Sequence, residues 1–342
     1  MPATAKQWRV QERPINRSFR ETDLRLVEEP LKPVGANEVM LRACYFAFDP
    51  AQKGWMENAA NYVAPINVGD VMRSRGIGRV VQSNSSKLKV GDLVRGDLFM
   101  ADYFTLPMDG PTPANVEKVD TTVPLLTNLS ILSNTGIAAY FGLMDVGRPT
   151  AGDTVVISGA AGATGSLAGQ IAKINGCRVI GIAGGAAKCA WIAELGFDHA
   201  IDYTTGDIAK RLRDVCPNGI NVFFDNVGGG ILDIALAQIA PRARVVLCGG
   251  ISRYSSTVTT GPLNYFNLIY NHGRMEGFLT RDYLPQWPEA KRRLSTWIKE
   301  GRIKSREDVQ EGFENLPRTF MRLFEGKNIG KQILRVSDPE LA

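Results

Sequence analysis

One stretch constrains this chain more than any other, residues 154–176, with the sequence TVVISGAAGATGSLAGQIAKING. The β-branched run over 155–157 is typical of a strand buried on both faces, and apolar residues then recur at helical spacing up to Gly176. Between them lies GxxGxxG over 159–165, where glycines allow a sharp turn and a close approach to a pyrophosphate. The stretch predicts a dinucleotide site, although a glycine-rich turn without a ligand would show the same motif.

Length and charge narrow the class of protein. The 342 residues are enough for two domains. The 40 basic and 35 acidic residues give a formal charge of +5, and no dense basic run is interleaved with aromatics, so we do not expect a nucleic-acid partner. The first ten residues lack an apolar core and no apolar run is long enough to span a bilayer, so we expect no export signal and no membrane anchor.

The cysteines indicate a reducing compartment. The chain has five of them, an odd number without a CxxC pair, and most stand among apolar neighbours. They are Cys44, Cys177, Cys189, Cys216 and Cys248. We therefore expect reduced, buried thiols and a cytoplasmic protein.

The chain has two regions that differ in their pattern of predicted strands and helices. Over residues 6–127, short β-like runs alternate with Pro, Gly, Asn and Asp, which predicts a compact β-barrel domain with a long loop over 48–69. From residue 135, strands and helices alternate, which predicts a parallel, doubly wound sheet because each crossover must cover a sheet face. The predicted strands are 155–158, 178–182, 199–201, 222–225, 245–248 and 275–279, and the helices lie near 166–175, 187–195, 206–215, 230–240 and 263–270. A last strand over 331–336 could return to the N-terminal barrel.

The residues after the second predicted strand indicate which dinucleotide binds. An NAD-binding unit commonly carries an acidic residue about 20 residues after the glycines, where it binds the ribose 2′-hydroxyl. Residues 181–188 here are GIAGGAAK, without a carboxylate. Lys188 would attract an extra ribose phosphate, which favours NADPH, although a solvated lysine at a helix start is the plain alternative.

A metal site is not expected. Zinc needs Cys, His and carboxylate ligands, and structural zinc needs clustered cysteines. The only histidines are His199 and His272, each better explained as a packed or surface imidazole. We therefore do not expect a metal ion to polarise the substrate.

Several motifs together resemble one family. They are AAGATGS over 160–166, FDNVGG over 224–229, CGGISRY over 248–254, RMEGF over 274–278, ENLP over 314–317 and GKNIG over 326–330. Together they resemble the zinc-independent medium-chain dehydrogenase/reductases, and within them the double-bond reductases, which include prostaglandin and leukotriene reductases, 2-alkenal reductases and curcumin reductase. The resemblance covers nearly the whole chain and is looser in the N-terminal domain.

The resemblance implies an α/β fold of two domains. A GroES-like β-barrel, built from residues 1–127 and 310–342, would carry the substrate and catalytic groups. A Rossmann domain with a doubly wound parallel sheet, residues 128–309, would bind NADPH, with the cofactor in the cleft between the domains. Relatives are often dimers through the edge of the cofactor sheet, so a homodimer is expected.

The resemblance also implies cofactor-binding residues. Gly162, Ala163, Thr164 and Gly165 would hold the pyrophosphate, and Lys188 and Tyr203 the 2′-phosphate end. Asn226 would contact the cofactor body, and Asn328 would close over it from the C-terminal segment. The nicotinamide side would be formed by Cys248, Gly249, Gly250, Ile251, Ser252, Tyr254, Phe278, Leu279 and Thr280. Taken singly, Tyr203, Asn226 and Asn328 are as well explained as a core tyrosine, a strand-end asparagine and a turn asparagine.

The reaction that the resemblance implies is hydride transfer from NADPH to the β-carbon of an α,β-unsaturated aldehyde or ketone, followed by protonation of the enolate. Tyr270 matches a tyrosine that the family places in its active site, and a phenol suits hydrogen bonding to an enolate. The alternative is an aromatic on the apolar face of a helix that also carries Tyr265 and Phe266.

The substrate pocket departs from the family pattern. Plant and mammalian members tend to carry an aromatic after Asp-Pro, whereas Ala51 and Gln52 follow Asp49-Pro50 here. Trp55 and Tyr62 would either line the pocket instead or anchor the loop. Two other functions remain open: an NADPH quinone reductase, and a non-catalytic NADPH-binding structural or regulatory protein.

Overall fold

The structure is a computed structural model and describes residues 2–57, 63–254 and 261–340. The chain divides into two compact units, one formed by Met1–Leu129 with Glu307–Ala342 and the other by Ser130–Arg306. The sequence analysis predicted boundaries after residue 127 and before residue 310. Each unit therefore has its own core and is described separately below.

The elements are numbered along the chain. The strands are β1 Thr4–Val10, β2 Leu24–Pro30, β3 Glu38–Ala47, β4 Arg73–Ser83, β5 Leu93–Phe99, β6 Tyr103–Pro107, β7 Val116–Lys118, β8 Thr154–Ser158, β9 Arg178–Ala183, β10 His199–Asp202, β11 Ile220–Asp225, β12 Ile239–Leu247, β13 Arg274–Gly277, β14 Glu307–Glu311 and β15 Lys331–Arg335. The helices are α1 Ala51–Glu57, α2 Asn134–Phe141, α3 Ala163–Ile174, α4 Ala186–Glu194, α5 Ile208–Val215, α6 Gly229–Leu236, α7 Asn267–Tyr270, α8 Trp287–Lys299 and α9 Leu316–Phe324.

The first unit is built on a mainly antiparallel sheet, with the order β14-β15-β3-β4-β5-β7 among the described residues, and with β6 paired to β3. Strands β1 and β2 pair with each other as a separate ribbon. The core includes the fully buried rings of Phe46, Phe48 and Phe320. The predicted loop over 48–69 contains α1, which buries Trp55 and Met56 and so anchors this segment in the core.

The final strand confirms the expected return of the chain to the N-terminal unit. Strand β15 pairs antiparallel with β3, with Ile333 opposite Ala47 and Leu334 opposite Phe46. Both of the β15 side chains are completely buried. The C-terminal segment is therefore an integral part of the first unit.

The second unit is a parallel sheet with the order β10-β9-β8-β11-β12-β13 among the described residues. This is the Rossmann order, with crossovers on both faces of the sheet. Val156, Ile180, Phe223 and Val245 form its core with at most 1% exposure, which is why these strands show continuous apolar runs. The predicted α/β fold class is confirmed. Among the described residues, no helix has the length and apolar character needed to cross a bilayer.

The chain between β12 and β13 differs most from the prediction. In place of one helix over 263–270, there is a 3-10 turn over Asn264–Phe266 and then the single-turn α7. The Asp233 carboxylate accepts the backbone N–H groups of Leu263 (2.6 Å) and Asn264 (3.0 Å), which fixes the start of the segment. The left-handed backbone of His272 ends it. The sixth strand is Arg274–Gly277 instead of 275–279.

Candidate functional site

The glycine turn joins β8 to α3 at the carboxyl edge of the parallel sheet. Gly159, directly after β8, has a φ of 58°, in the left-handed region that favours glycine. A Cβ atom added to Gly165 would lie 2.4 Å from the carbonyl oxygen of Gly159, so α3 can approach the turn this closely only without a side chain there. Both glycines are therefore required by the backbone itself.

The start of α3 presents backbone donors that fit a pyrophosphate. Gly162 is the N-cap, and no side chain in the described part of the chain caps the helix. The first N–H groups of an α-helix have no acceptor within the helix, and the helix dipole is positive at this end. The backbone of Ala163, Thr164 and Gly165 thus suits an anionic group at this edge.

A buried carboxylate joins the central strands at this edge. Asp225, the last residue of β11, is completely buried and accepts a 2.6 Å hydrogen bond from the Ser158 hydroxyl at the end of β8. It also accepts the backbone N–H groups of Val227 and Gly228, each at 3.0 Å. Burial raises the pKa of the Asp225 carboxyl, while these donors oppose that shift. Asp225 therefore fixes the loop that carries the next predicted residue, Asn226.

Asn226 is fixed on both its backbone and its side chain. Its backbone N–H donates to the Ser158 hydroxyl oxygen (2.8 Å), and its side-chain Nδ2 donates to the Ser158 carbonyl (2.7 Å). Its own carbonyl accepts the N–H of Ile251 (3.3 Å). The asparagine thus lies between the glycine turn and the segment after β12, as a cofactor-contacting residue would.

The segment over 248–254 follows the carboxyl end of β12 and lies beside the same loop. The N–H groups of Cys248 and Gly249 donate to the carbonyl of Asp225, at 2.9 and 3.0 Å. The Ser252 hydroxyl donates to the Val227 carbonyl at 2.6 Å. The structure therefore brings the segment to the edge that carries the glycine turn.

The segment continues through a short turn. Gly250 precedes the 3-10 turn Ile251–Arg253, and Tyr254 follows it. Burial raises the pKa of the Cys248 thiol to about 12, which favours its protonated form at neutral pH.

Residues 278–280 follow the carboxyl end of β13 and pack against α2. The Phe278 ring fills the space beside Gly142, where an added Cβ would lie 2.6 Å from its Cζ atom. The Thr280 hydroxyl donates to the side-chain oxygen of Asn134 at 2.5 Å, and the Leu279 N–H donates to an Asp282 oxygen at 3.3 Å. These contacts place the three predicted residues in one fixed turn of the second unit.

The predicted 2′-phosphate residues lie at the carboxyl ends of β9 and β10. Lys188 is in the first turn of α4, whose N-cap is Gly185 with a φ of 88°. The ring of Tyr203 covers Gly184, where an added Cβ would lie 2.6 Å from its Cζ atom. Lys188 and Tyr203 are thus on consecutive βα connections.

Two residues near this end were missed by the sequence analysis. The carboxylate of Asp202, the last residue of β10, accepts the N–H of Gly185 (2.9 Å) and both the N–H (2.9 Å) and hydroxyl (2.7 Å) of Thr204. These hydrogen bonds lower the pKa of Asp202. The guanidinium of Arg211, on α5, donates to the Asp202 carbonyl and to the Thr205 hydroxyl, each at 3.2 Å. The only sequence signal was an acid at a strand end followed by a basic helix.

Tyr270 does not lie with these residues. Its helix leads into the amino end of β13, where the carbonyl of the next residue, Asn271, accepts the N–H of Arg242 (2.6 Å). Amino and carboxyl ends of parallel strands lie at opposite edges of a sheet, so Tyr270 is at the edge away from the glycine turn. Its side chain is 72% exposed.

The other predicted residues belong to the first unit. Trp55 is 8% exposed, with the guanidinium of Arg75 5.8 Å from the centre of its ring. Asn328 donates its side-chain Nδ2 to the carbonyl of Gly330 at 2.9 Å, within the turn before β15. Tyr62 lies outside the described residues.

The described residues hold no group of three or more His, Cys, Asp or Glu side chains arranged to bind a metal ion. His199 begins β10, and His272 follows α7. Apart from the Asp202 and Asp225 carboxylates, which already accept hydrogen bonds from the chain, the polar groups at the carboxyl edge are backbone N–H groups, an amide, hydroxyls and Lys188. This donor set suits a dinucleotide phosphate better than a cation.

Comparison with known proteins identifies the family. Residues 6–116 match the family described as the N-terminal domain of oxidoreductase, and residues 163–296 match the family described as zinc-binding dehydrogenase. The chain is 36% identical to the NADPH-dependent curcumin reductase of Escherichia coli (strain K12), over 97% of both chains. It is also 36% identical to the NADP(+)-dependent 2-alkenal reductase of Nicotiana tabacum, over 93% of this chain and 94% of the relative.

The fold agrees with these relatives. The structure of CurA from Vibrio vulnificus in complex with NADPH has a TM-score of 0.90 and 34% identity, with 98% of this chain and 100% of that chain covered. Identity and coverage of this extent show common descent over both units. The chain therefore belongs to the double-bond reductase branch of the zinc-independent medium-chain dehydrogenase/reductases.

Proposed function

We propose that this protein is an NADPH-dependent reductase that reduces the carbon–carbon double bond of α,β-unsaturated aldehydes and ketones. The observation that carries the proposal is the joined carboxyl edge of the second unit, where the Ser158–Asp225 hydrogen bond holds the glycine turn beside the segments after β11 and β12. The names of the curcumin and 2-alkenal reductases, each 36% identical over most of the chain, support the same chemistry.

The cofactor-binding residues follow from this edge. Gly162, Ala163, Thr164 and Gly165 would bind the pyrophosphate through backbone N–H groups at the helix start. Asn226, already fixed to Ser158, would contact the cofactor body, and the segments over 248–254 and 278–280 would flank the nicotinamide. In the first unit, Asn328 would close over the cofactor.

Lys188 and Tyr203 would bind the 2′-phosphate of the adenosine ribose. The Asp202 carboxylate stays ionised, and its hydrogen bonds are made to the neutral donors of Gly185 and Thr204. The groups here that attract a phosphate are the cation of Lys188 and that of Arg211, which donates to the Asp202 carbonyl. A cation at the start of α4 favours NADPH over NADH.

When bound, NADPH supplies the hydride, and the protein supplies position, exclusion of water and a hydrogen bond to the substrate carbonyl oxygen. That oxygen becomes negative as the hydride reaches the β-carbon, so a donor aimed at it stabilises the transition state. Trp55 in the first unit would form part of the wall that holds the substrate. A phenol at the carboxyl edge of the second unit would be the donor.

Two tyrosines compete for this role. Tyr254 follows the 3-10 turn at the carboxyl edge, in the segment that the Ser252 hydroxyl attaches to Val227. Tyr270, which the family resemblance favoured, is exposed and lies at the amino edge. The geometry thus supports Tyr254.

We expect Tyr254→Phe to lower turnover about a hundredfold with little change in NADPH affinity, and Tyr270→Phe to retain full turnover. The reverse result would return the role to Tyr270.

The activity is tested by following NADPH absorbance with a 2-alkenal, with an enone such as benzylideneacetone, and with a quinone. Turnover of the alkenal or the enone, with a product saturated at the former double bond, is expected. Turnover of the quinone alone would make the protein a quinone reductase. Binding of NADPH without turnover of any of the three would make it a non-catalytic NADPH-binding protein.

We also propose a homodimer through the outer edge of the second unit. Five large apolar side chains in the segment that precedes the edge strand β13 are between 49% and 82% exposed: Leu263, Tyr265, Phe266, Ile269 and Tyr270. The ring of Phe266 packs against those of Tyr265 and Tyr270, and an exposed apolar cluster is typical of an interface. Light scattering of the wild type should give twice the mass of one chain. The measured mass of Ile269→Asp should fall toward that of a single chain. A monomeric wild type would refute the dimer.

We also propose a cytoplasmic location, which the unpaired thiols support. All five cysteines are free, and Cys44, Cys177 and Cys216 are buried. Proteins that work in reducing compartments keep such thiols unpaired. Cell fractionation checks this expectation.

A further inference from the structure

A basic cavity lies at the amino edge of the parallel sheet. Its volume is about 550 Å³, and it is lined by Arg148, Arg242, Ala243, Arg244, His272 and Arg274. The glycine turn is at the opposite, carboxyl edge, so this cavity is separate from the proposed dinucleotide site. Four guanidinium groups around one cavity repel each other unless an opposite charge lies among them.

Three of the guanidinium groups are held in place by backbone carbonyls. Arg148 donates from Nε to the carbonyl of Asp145 (2.5 Å). Arg244 donates from Nε to the carbonyl of Gly147 (2.9 Å), and Arg274 donates from Nη2 to the carbonyl of Val146 (2.7 Å). A carbonyl oxygen accepts a hydrogen bond but brings no net charge, so these contacts fix the orientation of the three cations and leave their charge in place.

Carboxylates offset only part of this charge. Arg244 pairs closely with Asp153, at 2.5 Å. Arg148 and Arg274 are 3.7 and 3.8 Å from their nearest carboxylates, which is too long for a hydrogen bond, and all four of these groups are 41–60% exposed. The two looser carboxylates are Asp145 and Glu276. The Nε atom of Arg274 is buried and has no acceptor among the described residues.

The fourth guanidinium group of the cavity, that of Arg242, is available to a ligand. Arg242 and His272 both have left-handed backbones, with φ of 60° and 50°, and Arg148 has a φ of 43°. The hydrogen bond from the Arg242 N–H to the Asn271 carbonyl brings the first two residues together. Within the described chain, the Arg242 guanidinium makes no hydrogen bond or ion pair. Left-handed conformations are costly for residues other than glycine, and such strain is concentrated at functional sites.

We propose that this cavity binds the phosphate or diphosphate group of a small molecule. Planar guanidinium groups bind phosphate oxygens through paired N–H donors, and three of the four present are already fixed in orientation. A metal cation would be repelled by the same groups. The volume lies within the range of small-molecule sites, so the rest of a mononucleotide-sized ligand has room beside the phosphate. Arg242 is the residue with the most free donors, so it should contribute most to affinity.

The test is calorimetric titration with pyrophosphate at low ionic strength. The protein is first saturated with NADPH, so that the glycine turn cannot take up the probe. The variant is Arg242→Gln, and the matched control is Arg213→Gln, which removes an exposed arginine of α5 outside the cavity lining. NADPH affinity is measured for every variant, as a check that the carboxyl edge is intact.

Wild type and Arg213→Gln should bind pyrophosphate equally, and Arg242→Gln should bind it about tenfold more weakly, while NADPH affinity stays unchanged. Affinity should also fall as salt is raised. Absence of pyrophosphate binding to the wild type would overturn the proposal. Equal binding by Arg242→Gln and wild type would also overturn it, because the anion would then be bound elsewhere.

Discussion

The Ser158 hydroxyl and the Asp225 carboxylate form a 2.6 Å hydrogen bond between the last residues of the neighbouring strands β8 and β11. The same hydroxyl oxygen accepts the N–H of Asn226, and the same carboxylate accepts the N–H groups of Val227 and Gly228. This pair of side chains therefore sets the geometry of the carboxyl edge before any ligand arrives.

Replacing Asp225 by asparagine should destabilise the second unit. Asparagine keeps the size of the side chain, but its NH2 group would face the Gly228 N–H, which now lies 3.0 Å from both carboxylate oxygens. A buried donor left without a good acceptor costs about 1–3 kcal/mol, so we expect the free energy of unfolding to fall by about that amount. Urea denaturation of Asp225→Asn measures it. The control Asp214→Asn, at an exposed position on α5, should stay within about 0.5 kcal/mol of wild type; equal stability of both variants would contradict the role of Asp225.

The glycine turn predicts a contrast between two alanine substitutions. Gly165→Ala places a Cβ atom 2.4 Å from the Gly159 carbonyl oxygen, so the turn must open and NADPH affinity should fall at least about tenfold. In Gly230→Ala, the added Cβ meets nothing within 4 Å, and the helix α6 should gain about 0.5–1 kcal/mol. Fluorescence titration with NADPH and thermal denaturation compare the two variants. NADPH binding by Gly165→Ala at wild-type affinity would show that the turn is not the pyrophosphate site.

Lys188 should decide between the phosphorylated and unphosphorylated cofactor. Its ammonium would pair with the 2′-phosphate, which NADH lacks, so Lys188→Gln should weaken NADPH binding about tenfold or more and leave NADH binding unchanged. Lys210→Gln on α5 removes an exposed ammonium at the next helix and serves as the control. Dissociation constants measured for NADPH and for NADH give the cofactor preference of each variant. A parallel loss of both would mean that Lys188 supports the fold of α4 and does not bind the phosphate.

The strands of the second unit and their Rossmann order could be predicted from the sequence because each strand is marked by its own run of apolar residues. The run over 155–157 and its counterparts are apolar on both faces, and only a parallel sheet with helices on both sides buries them. The resemblance of short motifs then supplied the candidate cofactor residues, most of which the structure brings to one edge of the second unit.

Other features depend on contacts between distant residues and left no local signal. The helix α1 forms within a segment rich in loop-forming residues because Trp55 and Met56 reach the core of the first unit. The placement of Tyr270 depends on the direction of β13 in the sheet, which a motif does not encode. The hydrogen bond from the Gly185 N–H to the Asp202 carboxylate joins two βα connections and is invisible in either one.

The thiols should be nearly inert in the folded protein. Burial raises the pKa of all five cysteines, to about 11 for Cys177 and Cys216 and to about 12 for Cys248. Only the thiolate reacts with a disulfide reagent, and at pH 8 a thiol with a pKa of 11 is ionised about 200-fold less than one of pKa 8.5. We therefore expect slow labelling of the native protein by DTNB at pH 8, with rates that rise about tenfold per pH unit between pH 7 and 9 because the raised pKa values lie above this window.

Unfolding in urea should release all five thiols to rapid labelling at the same pH, since their pKa values then return to the ordinary range. Cys189 and Cys248 are both partly exposed, but the pKa of Cys248 is raised to about 12, so any faster native phase should disappear in Cys189→Ser. A native phase with the rate of a free thiol that persists in Cys189→Ser would contradict the protection of the remaining four thiols. Cys248, beside the proposed nicotinamide site, would then be the first to examine by mass spectrometry of the labelled peptide.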